Sequence, residues 1–102
     1  MGEWVAVAKT SDILPGSAKV VEVANHRIAI FNVNGAFYAI DDTCSHEEAS
    51  LAEGEVEDTV VECPRHGAKF DLKTGKNLSL PAVFPVASYK IKIDGETLYL
   101  EI

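Results

Sequence analysis

The sequence predicts an all-β fold. Short runs of β-branched and aromatic residues recur along the chain and are separated at close intervals by Gly, Asn, Asp and Pro. Helical periodicity is nowhere sustained. With 102 residues, 47% of them hydrophobic, the chain has the size and composition of one domain with a modest core, which we expect to span residues 1–102.

Eight strands are expected, in order, from these runs. They cover residues 4–8, 18–23, 27–33, 36–40, 59–62, 68–71, 88–93 and 97–102.

Three short polar sequences mark the turns between neighbouring strands. Asn34-Gly35 fits a type I′ turn, because both central positions of that turn need positive φ. Asn25-His26 is expected to turn the preceding pair. Asp94-Gly95 separates two runs in which apolar residues alternate with polar ones, so the C-terminus is expected to form a hairpin with one buried face.

Two longer stretches do not fit the strand pattern. Residues 41–57 are polar, acidic and weakly periodic, and residues 77–85 contain Pro81 and Pro85, which cannot donate ladder hydrogen bonds. Long loops in a compact domain are more often functional than accidental. Residues 41–57 are therefore the first place to look for a site.

The charge balance argues against several classes of function. Sixteen acidic and nine basic side chains give a formal charge of −7, which opposes binding to nucleic acid or anionic lipid and favours partners with basic patches. No run approaches the roughly 18 apolar residues of a membrane helix, and the N-terminus does not resemble a signal peptide. We expect a soluble cytoplasmic protein, in which the two cysteines are more suited to metal binding than to a disulfide.

Both cysteines and two of the three histidines occur at two places. Cys44-Ser45-His46 lies early in the first long loop, and Cys63-Pro64-Arg65-His66 follows the apolar pair Val60-Val61. Taken singly, each residue would ordinarily be structural, and His26, which has no cysteine beside it, is best explained that way. Together, the two places offer one thiolate and one imidazole each to a shared centre.

Two kinds of metal centre compete for these four residues. A mononuclear structural zinc site can use two Cys and two His, but zinc fingers usually group the cysteines in one element and the histidines in another. Here each element is mixed. The mixture suits a [2Fe-2S] cluster in which Cys44 and Cys63 bind one iron while His46 and His66 bind the other.

The two motifs resemble those of the Rieske family. Cys63-Pro64-Arg65-His66-Gly67 is similar to the second box of that family, Phe70-Asp71 and Thr74-Gly75 follow as in bacterial Rieske ferredoxins, and Pro81 falls where the family places a proline loop. The resemblance implies a Rieske-type antiparallel β-sandwich with a cluster-binding subdomain formed by two loops. It also implies one [2Fe-2S] cluster per chain, bound by Cys44, His46, Cys63 and His66.

The chain departs from respiratory Rieske subunits in its supporting residues. Those proteins carry an additional Cys in each box, where this chain has Ala49 and Arg65, so the bracing disulfide is absent. They also carry a Ser and a Tyr that donate hydrogen bonds to sulfur, where this chain has Ala68 and Phe70. Fewer donors stabilise the reduced cluster less, so we expect a potential near the lower end of the Rieske range, about −150 mV.

The resemblance implies an electron carrier and not an enzyme. A Rieske oxygenase needs a further mononuclear iron bound by two His and a carboxylate, and only His26 remains for it. The implied partners are an NAD(P)H-dependent flavoprotein reductase and the terminal oxygenase of a ring-hydroxylating dioxygenase system, met transiently with electrostatic steering. Three alternatives remain: the small subunit of an assimilatory NADH-nitrite reductase or a component of another oxygenase system, a structural or sensory zinc-binding protein, and a Rieske-like domain that binds no metal and acts as an interaction module. The presence of all four ligand residues argues against the last.

Overall fold

A computed structural model describes residues 3–43, 50–64, 67–78 and 85–102. These ranges contain ten strands and two short 3₁₀ helices, Thr10–Asp12 and Leu51–Glu53. None of the helices in these ranges is long and apolar enough to cross a membrane. The strands are β1 (Trp4–Lys9), β2 (Ala18–Val23), β3 (His26–Val33), β4 (Ala36–Asp41), β5 (Glu55–Glu57), β6 (Val60–Glu62), β7 (Lys69–Asp71), β8 (Ser88–Tyr89), β9 (Ile91–Asp94) and β10 (Thr97–Glu101).

The strands form three antiparallel sheets. The middle sheet has the order β2-β3-β4-β8, the outer sheet β1-β10-β9, and the small sheet β5-β6-β7. The predicted antiparallel sandwich is confirmed. The part that follows the first Cys-His motif is more regular than expected, because it includes a sheet of its own as well as loops.

The middle sheet is covered on both faces. In β3, Ile28 and Ile30 pack with Leu98 and Leu100 of β10; we call this cluster the sandwich core, and Ile13 and Ala39 complete it. The alternate residues Ala29 and Phe31 face the other side. There they join the subdomain core, which consists of Ala29, Phe31, Ile40, Leu51, Val61, Cys63, Ala68, Phe70, Leu72 and Val86. Successive side chains of a strand point to opposite faces, so the continuous apolar run in β3 serves two cores.

One predicted turn is confirmed and the other two are shifted by one residue. At the C-terminal hairpin Asp94 pairs with Thr97, so the turn is made by Gly95 and Glu96 and not by Asp94-Gly95. Asn34 and Gly35 have φ of 54° and 95° between the paired residues Val33 and Ala36, as a type I′ turn requires. The expected Asn25-His26 turn is wrong, because His26 pairs with Val23 and the turn is made by Ala24 and Asn25. Asn tolerates the left-handed conformation better than most residues, but its position within a turn depends on strand register.

Two further expectations are corrected. The single strand predicted over residues 88–93 is two strands, β8 paired with β4 and β9 paired with β10, because the chain changes sheets at Lys90. The predicted loop 41–57 begins with the last residue of β4 and contains a 3₁₀ helix and β5. The three side chains of β5 are all exposed, so no buried face produced a hydrophobic pattern in the sequence.

Candidate metal centre

Cys63 is the predicted ligand that lies within the described residues. It follows β6 directly, is 1% exposed and is not in a disulfide. Cys44, His46 and His66 lie outside the described residues. The described contacts therefore concern Cys63 and the segments that lead into and out of the two motifs.

The turn between β6 and β7 is closed by two hydrogen bonds at Cys63. Its N–H donates to the Ala68 carbonyl over 2.7 Å, and its own carbonyl accepts from the Gly67 N–H over 3.0 Å. Gly67 has φ +75°, a conformation that a residue without Cβ adopts without strain. These bonds hold the backbone of Cys63 at the start of the turn.

The first Cys-His motif is closed in a similar way at its two ends. Thr43 and Ser50 form an antiparallel bridge, and Leu51 N–H donates to the Asp42 carbonyl over 2.6 Å. The Asp42 carboxylate accepts from the Ser50 hydroxyl at 2.8 Å and from the Ala52 N–H at 2.9 Å. The chain before residue 44 is thus tied to the chain after residue 49.

One hydrophobic cluster joins the two motifs. Leu51, one residue beyond the Thr43–Ser50 bridge, belongs to the subdomain core together with Cys63 and Ala68 at the two ends of the other turn. The small sheet packs on the middle sheet through this core. The fold therefore brings the bases of both Cys-His motifs to the same place.

Asp41 anchors a third segment, residues 85–89, beside the two Cys-His motifs. Its backbone N–H donates to the Ala87 carbonyl at 2.9 Å, and its carboxylate accepts from Ala87 N–H at 3.2 Å and from the Tyr89 hydroxyl at 2.6 Å. Burial, and then the hydrogen bond to and negative charge of Asp41, raise the pKa of Tyr89 above its ordinary value. Tyr89 consequently remains a protonated donor to a more alkaline pH than an ordinary tyrosine does.

Gly75 makes a second contact with the segment of residues 85–89. The Val86 N–H donates to the Gly75 carbonyl over 2.9 Å, and a Cβ on Gly75 would collide with the Val86 carbonyl oxygen. Gly75 and Val86 are therefore held together on the two sides of residues 79–84, which include Pro81 of the expected proline loop and lie outside the described residues.

Asp41 and Asp42 are site residues that the sequence interpretation missed. They were assigned only as the beginning of a long acidic loop. The available signal was a pair of carboxylates placed between an apolar strand and a Cys-x-His motif, where short polar side chains commonly bond to nearby backbone.

The residues around Cys63 fit a cluster ligand. A free, buried thiol in an apolar surrounding of Val61, Ala68 and Phe70 offers sulfur to a metal with little access for water. Ala68 and Phe70 are fully buried, and neither side chain has a hydroxyl that could donate a hydrogen bond to sulfur. His26 lies exposed at the start of β3, with its ring 6.1 Å from that of Tyr89.

Comparison with known protein families decides the class of this centre. The model of the Rieske [2Fe-2S] domain matches residues 3–90. The chain belongs to the Rieske [2Fe-2S] family. The cofactor of this Rieske domain is therefore a [2Fe-2S] cluster, and the alternative of a structural zinc-binding protein is not supported.

The relatives of this Rieske domain include ferredoxins of dioxygenase systems. The 3-phenylpropionate/cinnamic acid dioxygenase ferredoxin subunit of Escherichia coli K12 is 51% identical over 76 residues, which cover 74% of this chain and 72% of the relative. The solved ferredoxin of carbazole 1,9a-dioxygenase from Nocardioides aromaticivorans IC177 is 32% identical, with a TM-score of 0.90 and 95% of both chains covered.

Two other solved structures are similar to this chain. A chain from a complex of reduced oxygenase and oxidised ferredoxin in carbazole 1,9a-dioxygenase is 34% identical, with a TM-score of 0.88 and coverage of 96% of this chain and 92% of that one. A chain described as an NADH-dependent nitrite reductase small subunit from Mycobacterium tuberculosis has a TM-score of 0.89 at 20% identity, covering 100% of this chain and 96% of that one. The latter likeness concerns the fold alone.

Proposed function

We propose that this Rieske protein is a one-electron carrier, the ferredoxin component of a ring-hydroxylating dioxygenase system. Its cluster is bound by Cys44 and Cys63 at one iron and by His46 and His66 at the other. The protein carries out no substrate chemistry of its own and works in the cytoplasm, as a single domain.

The observation that carries this proposal is the shared core beneath the two Cys-His motifs. Cys63 is buried and free at the start of a turn held by hydrogen bonds, and Leu51, at the end of the other motif, packs in the same cluster. Two motifs that supply one thiolate and one imidazole each are therefore based side by side. This is the arrangement that a four-ligand centre shared between two segments requires.

The bound cluster supplies reversible uptake of one electron. The chain around it holds the ligands and excludes water. Phe70, Ala68 and Val61 are 0% exposed around Cys63, which lowers the local polarity. Without hydroxyl donors on Ala68 and Phe70, added negative charge is stabilised less, which favours a low potential.

Charge on the small sheet supports a transient basic partner. Glu55, Glu57 and Glu62 are exposed, and Glu55 lies directly opposite Glu62 across the β5-β6 pair. Like charges in this position destabilise the β5-β6 pair, while Lys69, opposite Glu62 on β7, offsets part of the negative charge of this sheet. Such a surface speeds encounters with a positively charged partner and weakens binding as salt rises.

We assign the electron acceptor as a terminal oxygenase and the donor as an NAD(P)H-dependent flavoprotein reductase. The acceptor is supported by the 51% identical dioxygenase ferredoxin subunit and by the solved complex of a related ferredoxin with its oxygenase. The donor follows from the same type of system, since a carrier must be reduced by another component.

Spectroscopy of the purified protein tests the ligand assignment. Wild-type protein should contain iron and acid-labile sulfide in equal amounts and show the rhombic electron paramagnetic resonance signal of a reduced Rieske centre. Replacing His46 with Asn, or Cys63 with Ser, should abolish that signal. His26→Asn is the matched control, because it removes a histidine that lies on β3, and it should leave the signal unchanged. Stoichiometric zinc without iron or sulfide in the wild type would refute the proposal.

A reconstituted electron-transfer chain tests the partners. The reduced protein should be oxidised by a ring-hydroxylating terminal oxygenase in the presence of its aromatic substrate, with NADH consumed through a flavoprotein reductase. Turnover with a nitrite reductase and none with any oxygenase would assign the protein to the alternative pathway. His26→Asn again serves as the control that should transfer electrons at the wild-type rate.

A further inference from the structure

Asp42 is a buried carboxylate at the base of the first Cys-His motif. It is 1% exposed, although Asp is almost never fully buried unless it is paired. One oxygen, Oδ1, accepts from the Ser50 hydroxyl at 2.8 Å and from the Ala52 N–H at 2.9 Å. The other, Oδ2, accepts from Arg27 Nε at 2.9 Å. Among the described residues, the hydrogen bonds of this side chain thus go to two segments, one at Arg27 and one at Ser50–Ala52.

The backbone of Asp42 connects the same two segments. Its N–H donates to the Arg27 carbonyl at 2.9 Å, and its carbonyl accepts from the Leu51 N–H at 2.6 Å. Thr43, the next residue, bridges to Ser50. Asp42 therefore ties strand β3 to both described ends of the connection between Thr43 and Ser50.

Stability alone does not explain a charge at this position. Burying a carboxylate costs several kcal/mol before pairing, and a well-packed apolar residue is often as stabilising as a buried ion pair. The Arg27 side chain is 55% exposed, so solvent screens its attraction to the carboxylate. An apolar side chain could fill the space but could not hold Ser50 and Ala52 by directional bonds. The carboxylate therefore determines the geometry of the chain at Ser50 and Ala52.

We propose that Asp42 is a positioning residue for the cluster: it fixes the separation and orientation of the chain at Thr43 and at Ser50–Ala52, and so presents the intervening Cys44 and His46 for binding. This inference rests on the ligand assignment of the proposed function. Fixing the ends in advance lowers the entropy lost when the ligands close on the cluster.

Asp42→Asn in the cluster-loaded protein tests this role. The amide keeps the shape but replaces one acceptor oxygen with an NH₂ donor. That donor must face either Arg27 Nε–H or the Ala52 N–H, so at least one of the hydrogen bonds that Asp42 accepts is replaced by a contact between two donors. When a chelator removes the metal, visible absorbance should be lost about tenfold faster than in the wild type, the scale seen when groups supporting a ligand are removed. The electron paramagnetic resonance lines of the reduced protein should broaden, since the ligand segment then adopts several geometries.

Three further variants separate positioning from general loss of stability. Asp12→Asn removes an exposed carboxylate that also accepts one backbone N–H, from Lys9 at 3.0 Å, and it should behave as the wild type. Leu98→Ala weakens the sandwich core, on the other face of β3, and should lower stability without changing the spectrum of the bound cluster. Ser50→Ala deletes a single Oδ1 hydrogen bond and should give a smaller change in the same direction as Asp42→Asn.

The outcomes distinguish this inference from the proposed function. The rates of cluster loss are compared under conditions in which the variants have the same free energy of unfolding. If Asp42→Asn and Ser50→Ala keep the wild-type spectrum and lose the cluster no faster than Leu98→Ala does, Asp42 is not a positioning residue. If Asp42→Asn does not fold, Ser50→Ala with a wild-type rate and spectrum overturns the inference. Wild-type protein without iron and sulfide would instead overturn the proposed function, and this inference with it.

Discussion

Gly54 controls how closely two segments approach beside Cys63. A Cβ at this position would lie well inside van der Waals contact with the carbonyl oxygen of Glu62, 3.1 Å from its carbonyl carbon and 3.2 Å from the Leu51 carbonyl oxygen. All three atoms belong to backbone, so no side-chain rotation can relieve the contact. Glu62 is the residue before Cys63, and any shift of its carbonyl is passed to the turn that holds the thiol.

We expect Gly54→Ala to destabilise the protein by about 3 kcal/mol, the upper part of the range for forced overpacking. For a domain of this size that loss lowers the melting temperature by roughly 12–24 °C. The rate of cluster loss should rise as well, because the Leu51 and Glu62 backbones that must separate support the two Cys-His motifs. Gly54 has φ −79°, so backbone strain at Gly54 itself contributes nothing to this cost.

Thermal unfolding of the cluster-loaded protein, followed by circular dichroism and by visible absorbance, measures both effects. Gly35→Ala is the matched control: Gly35 has φ +95° and open space where a Cβ would be placed, so the substitution costs about 1–2 kcal/mol of backbone strain and causes no steric collision. If Gly54→Ala melts no lower than Gly35→Ala and keeps its cluster equally long, the close approach is not limiting and the reasoning is refuted.

Three further predictions concern titration, potential and partner binding. Because the pKa of Tyr89 is raised, its hydrogen bond to Asp41 contributes stability that is complete below about pH 10 and is lost as pH rises further. The difference in melting temperature between wild type and Tyr89→Phe should therefore be constant from neutral pH to about pH 9 and shrink above about pH 10. A difference that grows above about pH 10 would contradict the assignment. The midpoint potential should be near −150 mV and Ala68→Ser should raise it, whereas a wild-type value above about +100 mV by redox titration would refute the account of missing donors. The association rate with a basic partner should fall with ionic strength, and Glu55→Gln with Glu62→Gln should weaken that dependence in stopped-flow measurements; an unchanged salt slope would place docking elsewhere.

Local patterns predicted most of the secondary structure because each depends on neighbouring residues. Asn34-Gly35 specifies its turn through two positive φ angles, and β2 was predicted at its observed bounds, Ala18–Val23. Leu98 and Leu100 alternate with polar residues and are fully buried, as expected for one face of the C-terminal hairpin. Ile93, the last apolar residue of the alternating run before Asp94, is 48% exposed although its cross-strand partner Leu98 is fully buried, so the predicted buried face does not extend to this end of the hairpin.

The errors occur where long-range pairing overrides local preference. The chain leaves the middle sheet after Tyr89 and joins the outer sheet at Ile91, and no nearby residue signals that exchange. β5 pairs with β6 although all its side chains are exposed, and its close approach depends on Gly54. Register and sheet membership are properties of the partner strand, which a single segment does not encode.

The residue types and their spacing favour an iron-sulfur centre over a zinc site, and the match to the Rieske [2Fe-2S] domain decides between the two. A thiolate or imidazole ligand is supplied by a single side chain. The spacing of Cys44, His46, Cys63 and His66 can therefore be seen in the sequence without knowledge of the fold. Only the tertiary structure decided what supports them. Asp42 reaches Ser50 and Arg27, and Asp41 reaches Tyr89, through contacts between residues far apart in the chain, because burial and strand pairing bring those partners within hydrogen-bonding distance.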